Sequence, residues 1–393
     1  MTTSALPEFL VRDSLPLPAP GVALTARATR TDRYAIHVVH GLEPLLELLV
    51  AELGGAAVAL VTDETVEALY GGALLAGLRD AGVEVIARSL PAGEPTKSLE
   101  RAVELWDWLA TSSIGRRDVV VTFGGGVIAD LGGWVASGYM RGLPYINLPT
   151  TLLAQVDGAL GGKTAVNHRL AKNLLGAFHQ PAAVISNVGF LASAGPRHLA
   201  AGLAEAIKKA MIASPAFWRF IEESADALLE RDPDALLALV RAATAIKTDL
   251  VQRDPYETDL RRPLNFGHTI GHPLETVTGY GPLLHGEAVA FGMVVESRIA
   301  VARGLLDEAL LARLIRLLGR CRLPASAQDL PVAVDGEALV AALEKVRLIR
   351  AGSLRYVLPR GLGETVIADT VGEDEVRSAL RATGVAIAAQ DVK

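Results

Sequence analysis

The fold of this chain is decided by an apolar run that leads directly into a glycine-rich turn, Asp118-Val119-Val120-Val121-Thr122-Phe123-Gly124-Gly125-Gly126-Val127-Ile128-Ala129-Asp130-Leu131-Gly132-Gly133. The apolar run predicts a short buried strand. Glycines at a strand-to-helix turn let backbone amides approach a pyrophosphate at the N-terminus of the helix. The spacing departs from the usual G-x-G-x-x-G pattern, so a plain tight turn is the alternative interpretation.

Strand and helix patterns alternate around this stretch from residue 33 onward. They predict strands at 34–39, 57–63, 83–86 and 118–123, and helices at 42–53, 66–81 and 99–111. Such alternation is typical of a parallel, Rossmann-like sheet. We therefore predict an α/β domain over residues 33–197, preceded at 1–32 by a flexible extension that is rich in proline, alanine and threonine.

Strand patterns largely vanish after residue 198. Helices are predicted at 200–213, 215–231, 233–253, around His268, at 285–303 and at 308–318, with one hairpin-like piece at 354–358. Ser214 before Pro215 predicts a helix start, because a serine hydroxyl can cap a helix whose first residue is proline. Residues 198–393 are therefore predicted to form a mostly α-helical second domain.

Length and composition restrict the class of protein. A chain of 393 residues is too long for one ordinary core, which favours two domains. The net charge of -6 offers no basic surface to nucleic acid, although local lysines and arginines could still bind a small anion. The single cysteine, Cys321, excludes an internal disulfide and a cysteine-rich zinc site. No apolar run reaches membrane-spanning length and the N-terminus does not resemble a signal peptide, so we expect a cytoplasmic protein without membrane contacts.

Histidines in the second half suggest a metal site. His268 and His272 are four residues apart, a spacing that brings both imidazoles onto one face of a helix. His285 follows, and upstream Glu205 shares another predicted helix face with Lys208. Three histidines and a carboxylate are typical ligands of a divalent metal, and the spacing favours His268 with His272 as the ligand pair. Core histidines without a metal are the alternative.

A second candidate site lies in the glycine-rich segment after residue 148. This segment contains Lys163 and is followed closely by Lys172 and Asn173, so it resembles an anion-binding loop. Lysines that merely solvate a surface are the alternative. Further positive charge comes from elsewhere in the chain, from Lys97, Arg141 and Lys208.

Three further residues have two interpretations each. Asp63, at the end of a predicted strand, could accept hydrogen bonds from a ribose hydroxyl or cap the following helix. Lys247 and Arg261 could be ordinary helix-end cations or, together with a metal, could hold a substrate carboxylate.

Eight ordered motifs between residues 93 and 289 resemble those of 3-dehydroquinate synthase and its sugar-phosphate cyclase relatives. They are Gly-Glu-Pro-Thr-Lys ending at Lys97, Gly-Gly-Gly-Val-Ile-Ala-Asp ending at Asp130, Tyr-Met-Arg-Gly around Arg141, Pro-Thr-Thr-Leu-Leu-Ala-Gln-Val-Asp ending at Asp157, Gly-Gly-Lys-Thr-Ala-Val-Asn-His around Lys163, Gly-Leu-Ala-Glu-Ala-Ile-Lys ending at Lys208, Leu-Asn-Phe-Gly-His-Thr-Ile-Gly-His ending at His272, and His-Gly-Glu-Ala-Val from His285. The resemblance covers roughly residues 33–365, and the motifs are highly specific in combination.

The resemblance implies an N-terminal Rossmann-like NAD-binding domain, a helical metal- and substrate-binding domain, and an active site between them. It implies NAD and a divalent metal, zinc or cobalt, as cofactors and a homodimer as the assembly. The implied metal ligands are Glu205, His268 and His285, which replaces the pair favoured by spacing. The implied cofactor-binding residues are Asp63, Glu94, Lys97, Gly125, Gly126, Asp130, Thr150, Thr151, Lys163 and Lys172.

Other positions take substrate roles by the same resemblance. His272 joins Arg141, Lys163 and Asn173 in a phosphate-binding group, to which Arg141 could reach across a dimer interface. Lys247 and Arg261 match the positions that hold a substrate carboxylate. Further active-site positions are matched by Lys97, Asp157, Lys172, Lys208 and Asn265.

The implied reaction is a carbon–oxygen lyase reaction in which a hydride passes to NAD and returns. Inorganic phosphate leaves in between, and an aldol-type attack closes a carbocycle. The first interpretation is 3-dehydroquinate synthase of the shikimate pathway, acting on the sugar phosphate 3-deoxy-arabino-heptulosonate 7-phosphate. In place of the family's C-terminal phosphate-binding lysine, this sequence has a segment that contains Arg347 and Arg350. This difference weakens the interpretation as 3-dehydroquinate synthase, because arginine and lysine are not interchangeable at a phosphate site. The alternatives are a cyclase acting on sedoheptulose 7-phosphate to give a valiolone-type product, a cyclase for an amino analogue, and, remotely, an NAD-dependent polyol dehydrogenase.

Overall fold

The computed structural model describes residues 31–169, 171–257, 262–349 and 354–387. Within these ranges the first half of the chain contains β1 (Ala35–Val39), β2 (Val58–Asp63), β3 (Val85–Leu90), β4 (Val119–Gly124), β5 (Tyr145–Pro149), β6 (Lys163–His168), β7 (Ala171–Phe178) and β8 (Ala183–Asn187). Six of them form a parallel sheet in the order β1-β8-β5-β4-β2-β3, and β6 and β7 form a separate antiparallel hairpin.

Helices cover both faces of the sheet, namely α1 (Leu42–Leu53), α2 (Glu64–Val66), α3 (Gly72–Asp80), α4 (Leu99–Thr111) and α5 (Gly126–Gly138). A π-helical turn over 67–71 joins α2 to α3. Successive residues of β2 point to opposite faces, so Leu60 packs in one core with α1 and α3, and Val61 packs in another with α4 and α5. Burial on both faces explains the nearly continuous apolar runs of β2 and β4.

The strand order creates a crevice at one edge of the sheet. The chain leaves β2 for β3 on one side and then returns to β4 on the other side of β2. In open parallel sheets, ligands bind outside the carboxyl ends of the strands where the order reverses in this way. Asp63 ends β2 and Gly124 ends β4, so the glycine-rich turn lies at this crevice.

The second half of the chain is mostly helical, as predicted. It contains α6 (Pro196–Ala213), α7 (Pro215–Leu229), α8 (Pro233–Arg253), α9 (His268–Val277), α10 (His285–Ala302), α11 (Glu308–Arg320), α12 (Gly336–Ile349) and α13 (Glu373–Ala382). The hairpin predicted near 354–358 is β9 (Tyr356–Gly361) paired antiparallel with β10 (Glu364–Ala368). Ser214 caps α7 as predicted, because its hydroxyl accepts a hydrogen bond from the Phe217 amide at 3.1 Å.

Two glycines of α10 permit unusually close packing of helices. A Cβ placed on Gly286 would lie 1.9 Å from the carbonyl oxygen of Ala201 on α6. A Cβ on Gly292 would lie 2.0 Å from the carbonyl oxygen of Gly267, directly before α9. Nearly all of α10 is buried. It is therefore the central helix, and its glycines set how near α6 and α9 can come.

Some predictions lie outside what the structure tests. The extension at residues 1–30 lies outside the described residues. From Tyr34 onward the chain forms one compact unit, so the domain boundary at residue 198 stays a prediction. Among the helices of the described ranges, none has the length and apolar character to cross a membrane. The cytoplasmic location stays a prediction.

Candidate active site

Four side chains with metal-ligand chemistry converge where α6, α9 and α10 meet. Glu205 lies on α6, His268 and His272 lie on α9, and His285 begins α10. The Nε2 atoms of His268 and His285 lie 3.6 Å and 3.7 Å from Oε1 of Glu205. Two ligands of a tetrahedral metal, each about 2.0–2.1 Å from it, are about 3.3 Å apart. These three groups are therefore close to the separation that one cation requires.

The orientation of the rings favours the set that includes Glu205 over the three histidines alone, whose ligand atoms lie within 4.8 Å of one another. Nδ1 of His285 contacts Oε2 of Glu275 at 3.0 Å, and Nδ1 of His268 contacts the carbonyl oxygen of Phe266 at 3.2 Å. An imidazole held through Nδ1 presents Nε2 as the ligand atom. Both Nε2 atoms face Oε1 of Glu205, which is buried and receives no hydrogen bond from the described residues.

Nearby charges control the protonation of these groups. Burial, followed by the charge of Lys208, lowers the pKa of His268 well below its usual value. Burial alone would raise the pKa of Glu205, but Lys208, 2.5 Å from Oε2, acts together with His285 and Lys209 and holds that pKa well below its usual range. A neutral imidazole and an ionised carboxylate are the forms that bind a metal. Burial lowers the pKa of His285, but the carboxylates of Glu205 and Glu275 outweigh it and raise the pKa to about 9.

Buried lysines surround Asp157 beside this cluster. Nζ of Lys209 lies 2.6 Å from Oδ1 of Asp157, and Nζ of Lys247 lies 3.0 Å from the same oxygen. Lys247 also donates a hydrogen bond to the carbonyl oxygen of Asp157 at 2.7 Å. Burial would raise the pKa of Asp157, but these ammonium groups hold it well below its usual value. Burial lowers the pKa of Lys247 to about 8.

A second cationic group connects the sheet to the hairpin of β6 and β7. Lys97 forms an ion pair with Asp130 and donates a hydrogen bond to Oδ1 of Asn173 at 2.5 Å. Lys172 lies 3.5 Å from Oε1 of Glu275, the residue that also contacts His285. Lys172 and Asn173, two predicted site residues near the turn of this hairpin, therefore lie next to the histidine cluster.

The N-terminus of α5 is a candidate anion site at the carboxyl end of β4. Among the described residues, no side chain caps its first amides. A Cβ built on Gly126 meets no heavy atom within 4 Å, whereas one on Gly125 would lie 3.1 Å from the methyl group of Thr151. The amide of Thr150 donates to the carbonyl oxygen of Gly124 at 2.9 Å, which fixes this loop against the turn. The glycine turn thus leaves space directly in front of a helix N-terminus.

Asp63 and Glu94 already have partners in the protein. Oδ1 of Asp63 accepts hydrogen bonds from the amides of Thr65 and Val66 at 3.0 Å, so the capping interpretation of this residue is confirmed. Its predicted contact with a ribose stays a prediction. Oε1 of Glu94 accepts a hydrogen bond from Nδ2 of Asn167 at 2.7 Å.

The structure does not bring all predicted residues together. Lys163 begins β6, whereas Lys172 and Asn173 begin β7, so they lie at opposite ends of the hairpin and do not form the single loop expected from sequence. Lys163 is exposed and pairs with Glu257. Arg141 is exposed in the turn after α5.

Four predicted positions in the C-terminal half need separate mention. Asn265 is half-buried at the end of a short 3₁₀ turn before α9. Arg347 pairs with Glu344 of its own helix at 2.7 Å, which favours a surface role over phosphate binding. Arg261 and Arg350 lie outside the described residues.

Sequence reasoning missed two residues of the site. Lys209 follows the predicted Lys208 and is fully buried, with its ammonium group on Asp157. Glu275 joins Lys172 to His285. The sequence did contain a signal for both residues. One is a charged residue within the apolar sequence of α6, and the other is a charged residue on the α9 face that carries the histidines.

The family is decided by the match of two family models to consecutive parts of the chain. The model described as 3-dehydroquinate synthase N-terminal matches residues 87–201, and the model described as 3-dehydroquinate synthase C-terminal matches residues 202–345. The chain belongs to the 3-dehydroquinate synthase family. The prediction made from its motifs is confirmed, as is the Rossmann-like fold with a helical C-terminal part.

Relatives within this family are sugar-phosphate cyclases. The chain is 51% identical over 372 residues to a 2-epi-valiolone synthase of Actinosynnema mirum, which covers 95% of this chain and 97% of the relative. It is 33% identical to the structure of ValA, a 2-epi-5-epi-valiolone synthase from Streptomyces hygroscopicus subsp. jinggangensis with NAD+ and Zn2+ bound, with a TM-score of 0.85 and coverage of 92% and 99%. A 2-deoxy-scyllo-inosose synthase complexed with carbaglucose-6-phosphate, NAD+ and Co2+ is 25% identical, with a TM-score of 0.80 and coverage of 90% and 98%.

Proposed function

We propose that this family member is an NAD- and metal-dependent cyclase that acts on sedoheptulose 7-phosphate, eliminates phosphate and forms a valiolone-type carbocycle. The choice of substrate is carried by the 51% identity with a 2-epi-valiolone synthase over nearly the whole of both chains. This identity favours a cyclase that acts on sedoheptulose 7-phosphate over 3-dehydroquinate synthase. It therefore gives no support for a place in the shikimate pathway.

Lys247 keeps one hydrogen-bond donor for the substrate. Its ammonium group has three N–H donors, and it contacts both the carbonyl oxygen and Oδ1 of Asp157, at 2.7 Å and 3.0 Å. The remaining donor can bind an oxygen atom of the proposed sugar phosphate.

The donor set at Glu205, His268 and His285 fits a divalent metal such as zinc or cobalt. Two imidazoles and a carboxylate leave a position open for substrate, as in other catalytic sites. When bound, the metal supplies a Lewis acid for a substrate hydroxyl, and NAD supplies a reversible hydride acceptor. Glu275 holds the imidazole of His285 in place at 3.0 Å, and Lys208 keeps the Glu205 carboxylate ionised.

The phosphate of the substrate is proposed to bind among the cations of the cleft. Asn173 and His272 supply donors from one chain, whereas Lys163 lies at the opposite end of the hairpin from Asn173. Arg141 and the neighbouring Met140 are exposed, and both have a left-handed backbone with φ of 69° and 48°. An exposed arginine and an exposed apolar side chain on a constrained turn support a homodimer in which Arg141 completes the site of the partner subunit.

The substrate proposal is tested with purified protein supplied with NAD and Zn2+. Sedoheptulose 7-phosphate and 3-deoxy-arabino-heptulosonate 7-phosphate are offered in separate reactions. We expect phosphate release and one cyclic product from the first sugar only, without lasting NADH absorbance, because the hydride returns in each cycle. Phosphate release from the second sugar alone would show a dehydroquinate synthase, and steady NADH formation from a polyol would show a dehydrogenase.

The NAD site is tested at Gly126. A Gly126→Ala change places a methyl group in the open space at the N-terminus of α5, where the proposed pyrophosphate lies. We expect the Kd for NAD, measured by calorimetry, to rise about tenfold or more, equivalent to about 1.4 kcal/mol of binding free energy. The thermal stability without NAD should be unchanged or higher, because alanine is the better helix former.

The matched control for Gly126 is Gly72→Ala. Gly72 also begins a helix and has no heavy atom within 4 Å of an added Cβ, but it lies in α3, outside the predicted cofactor-binding set. It should leave the Kd for NAD unchanged. Equal affinity of the Gly126→Ala variant and the parent protein would contradict the placement of the pyrophosphate.

A further inference from the structure

Lys209 is a buried cation that the proposed reaction does not yet use. It lies on α6, one turn after Glu205, and its side chain is fully buried. A buried ammonium group is costly unless it is paired. The partners of Lys209 are Oδ1 of Asp157 at 2.6 Å and Oε2 of Glu205 at 3.6 Å, so its stronger contact is with Asp157.

Glu205 does not need Lys209 as a counterion. Lys208 already lies 2.5 Å from Oε2 of Glu205, more than 1 Å closer than Lys209 at 3.6 Å. Within the described part of the chain, the three buried ammonium groups of Lys208, Lys209 and Lys247 face two carboxylates, those of Glu205 and Asp157. Lys209 is therefore the cation whose main effect falls on Asp157.

Among the described residues, the side-chain contacts of Asp157 are all at one oxygen of its carboxylate. Lys209 and Lys247 both approach Oδ1, and Lys247 also binds the carbonyl oxygen of the same residue. Asp157 lies in a short π-helical turn over 154–158, a backbone form that is frequent at functional sites. Its side chain retains 27% exposure. The carboxylate is thus held through Oδ1 with Oδ2 left for a ligand in the cleft.

We propose that Lys209 is a positioning residue, which holds Asp157 so that Oδ2 accepts a hydrogen bond from a hydroxyl group of the sugar phosphate. This inference rests on the proposed function for the class of substrate. The oriented Oδ2 of Asp157 recognises a hydroxyl-bearing carbon of the substrate next to the metal site. Lys209 itself does not touch the substrate.

A double-mutant cycle tests whether Lys209 acts through Asp157. Lys209→Met, Asp157→Asn and the double variant are compared by kcat/KM and KM. We expect each single change to lower kcat/KM by about 10–100-fold, and the double variant to match Asp157→Asn within about threefold. Independent effects, in which the two losses multiply, would overturn the proposal, because a merely structural lysine would not be coupled to Asp157.

Two further comparisons keep the test decisive. If Lys209→Met does not fold, Asp157→Asn and the double variant are compared alone, and an additional tenfold loss in the double variant refutes the proposal. Arg377→Met is the control, since it also removes a cation that is largely buried and paired, here with Glu337 and Glu373 away from the site. It should lower the melting temperature without changing kcat/KM.

The substrate of the cycle is whichever of the two sugar phosphates the parent protein converts. An error in the proposed substrate therefore leaves the outcome for Lys209 unaffected. If the parent protein converts neither, the same variants are compared by their Kd for sedoheptulose 7-phosphate, with coupling again expected and additivity again contradicting the role of Lys209.

Discussion

Replacing Glu205 by glutamine is expected to remove the bound metal and to lower kcat/KM by about 1,000-fold or more. The amide has the shape of the carboxylate but not its charge, and Oε1 is the atom that both histidines face, at 3.6 Å and 3.7 Å. A Lewis acid contributes several kcal/mol to a transition state, and each 1.36 kcal/mol is a factor of about ten in rate. Metal content is measured by mass spectrometry and turnover by phosphate release.

The variant also leaves the ammonium group of Lys208 without its nearest partner. Breaking a buried pair in this way costs about 3–5 kcal/mol, so circular dichroism must show that the variant is folded at the assay temperature. Glu222→Gln is the matched control, because it removes the carboxylate that pairs with Arg313 at 2.7 Å on another face of the helices. Its metal content and turnover should be those of the parent protein.

A companion substitution separates the two possible ligand sets. If Glu205, His268 and His285 hold the metal, His272→Ala should retain the metal and weaken the binding of the sugar phosphate. Loss of the metal from His272→Ala together with its retention in Glu205→Gln would instead identify the three histidines, which also lie close enough together.

Gly286→Ala is the second change with a large expected effect. The added Cβ would lie 1.9 Å from the Ala201 carbonyl oxygen and 2.6 Å from the Ala201 Cα, and neither backbone atom can move without moving α6. Overpacking commonly costs about 1–3 kcal/mol, and a backbone clash belongs at or above the upper end. We expect unfolding free energy to fall by about 3 kcal/mol or more, measured by denaturant titration.

The same change should also weaken the metal site. Gly286 follows His285, and Ala201 lies one helical turn before Glu205, so separating the two helices separates two ligands. Gly319→Ala provides the control, because Gly319 lies in the helix α11 with no atom within 4 Å of an added Cβ. It should be neutral or stabilising by up to about 1 kcal/mol. Equal behaviour of the two variants would show that the close approach of α6 and α10 is not required.

Periodicity predicted the elements that are long or regularly patterned. The bounds of α8 are those expected, residues 233–253, because proline begins the helix and an amphipathic pattern continues to its end. His268 and His272 lie on one face as expected, with ring centroids 5.0 Å apart. The strand before the glycine turn is also where it was predicted, as β4.

The strands β5 and β8 were missed, although β1, which has the same length of five residues, was predicted. A run this short shows no clear period, and β5 ends at Pro149 within a glycine-rich segment that suggested a loop. The hairpin of β6 and β7 was missed for a different reason. The strand β7 is largely exposed and carries few apolar residues on a single face.

The residue types of the site could be predicted from the sequence, but the contacts between these residues could not. Motifs identified Glu205 and Lys208, whereas Lys209 would ordinarily be assigned to a solvated face, because lysine is rarely buried. Its burial follows from Asp157, 52 residues earlier in the chain, which only the packed structure brings within 2.6 Å. The spacing of histidines found the cluster and favoured His272 as the partner of His268, whereas the family resemblance favours Glu205 and His285. Spacing along one helix carries no information about α6 and α10.

The pairing of β1 with β8 has a consequence for synthesis of the chain. Ala35 aligns with Ala183, a separation of 183 − 35 = 148 residues, and β1 has no other neighbour in the sheet formed by the described strands. At ribosomal rates of about 5–20 residues per second, β1 must wait roughly 7–30 seconds for its partner strand to be made. During that time β2, β3, β4 and β5 can already pair with one another. The first of the described strands is therefore the last to join the sheet, and its incorporation marks the completion of the sheet.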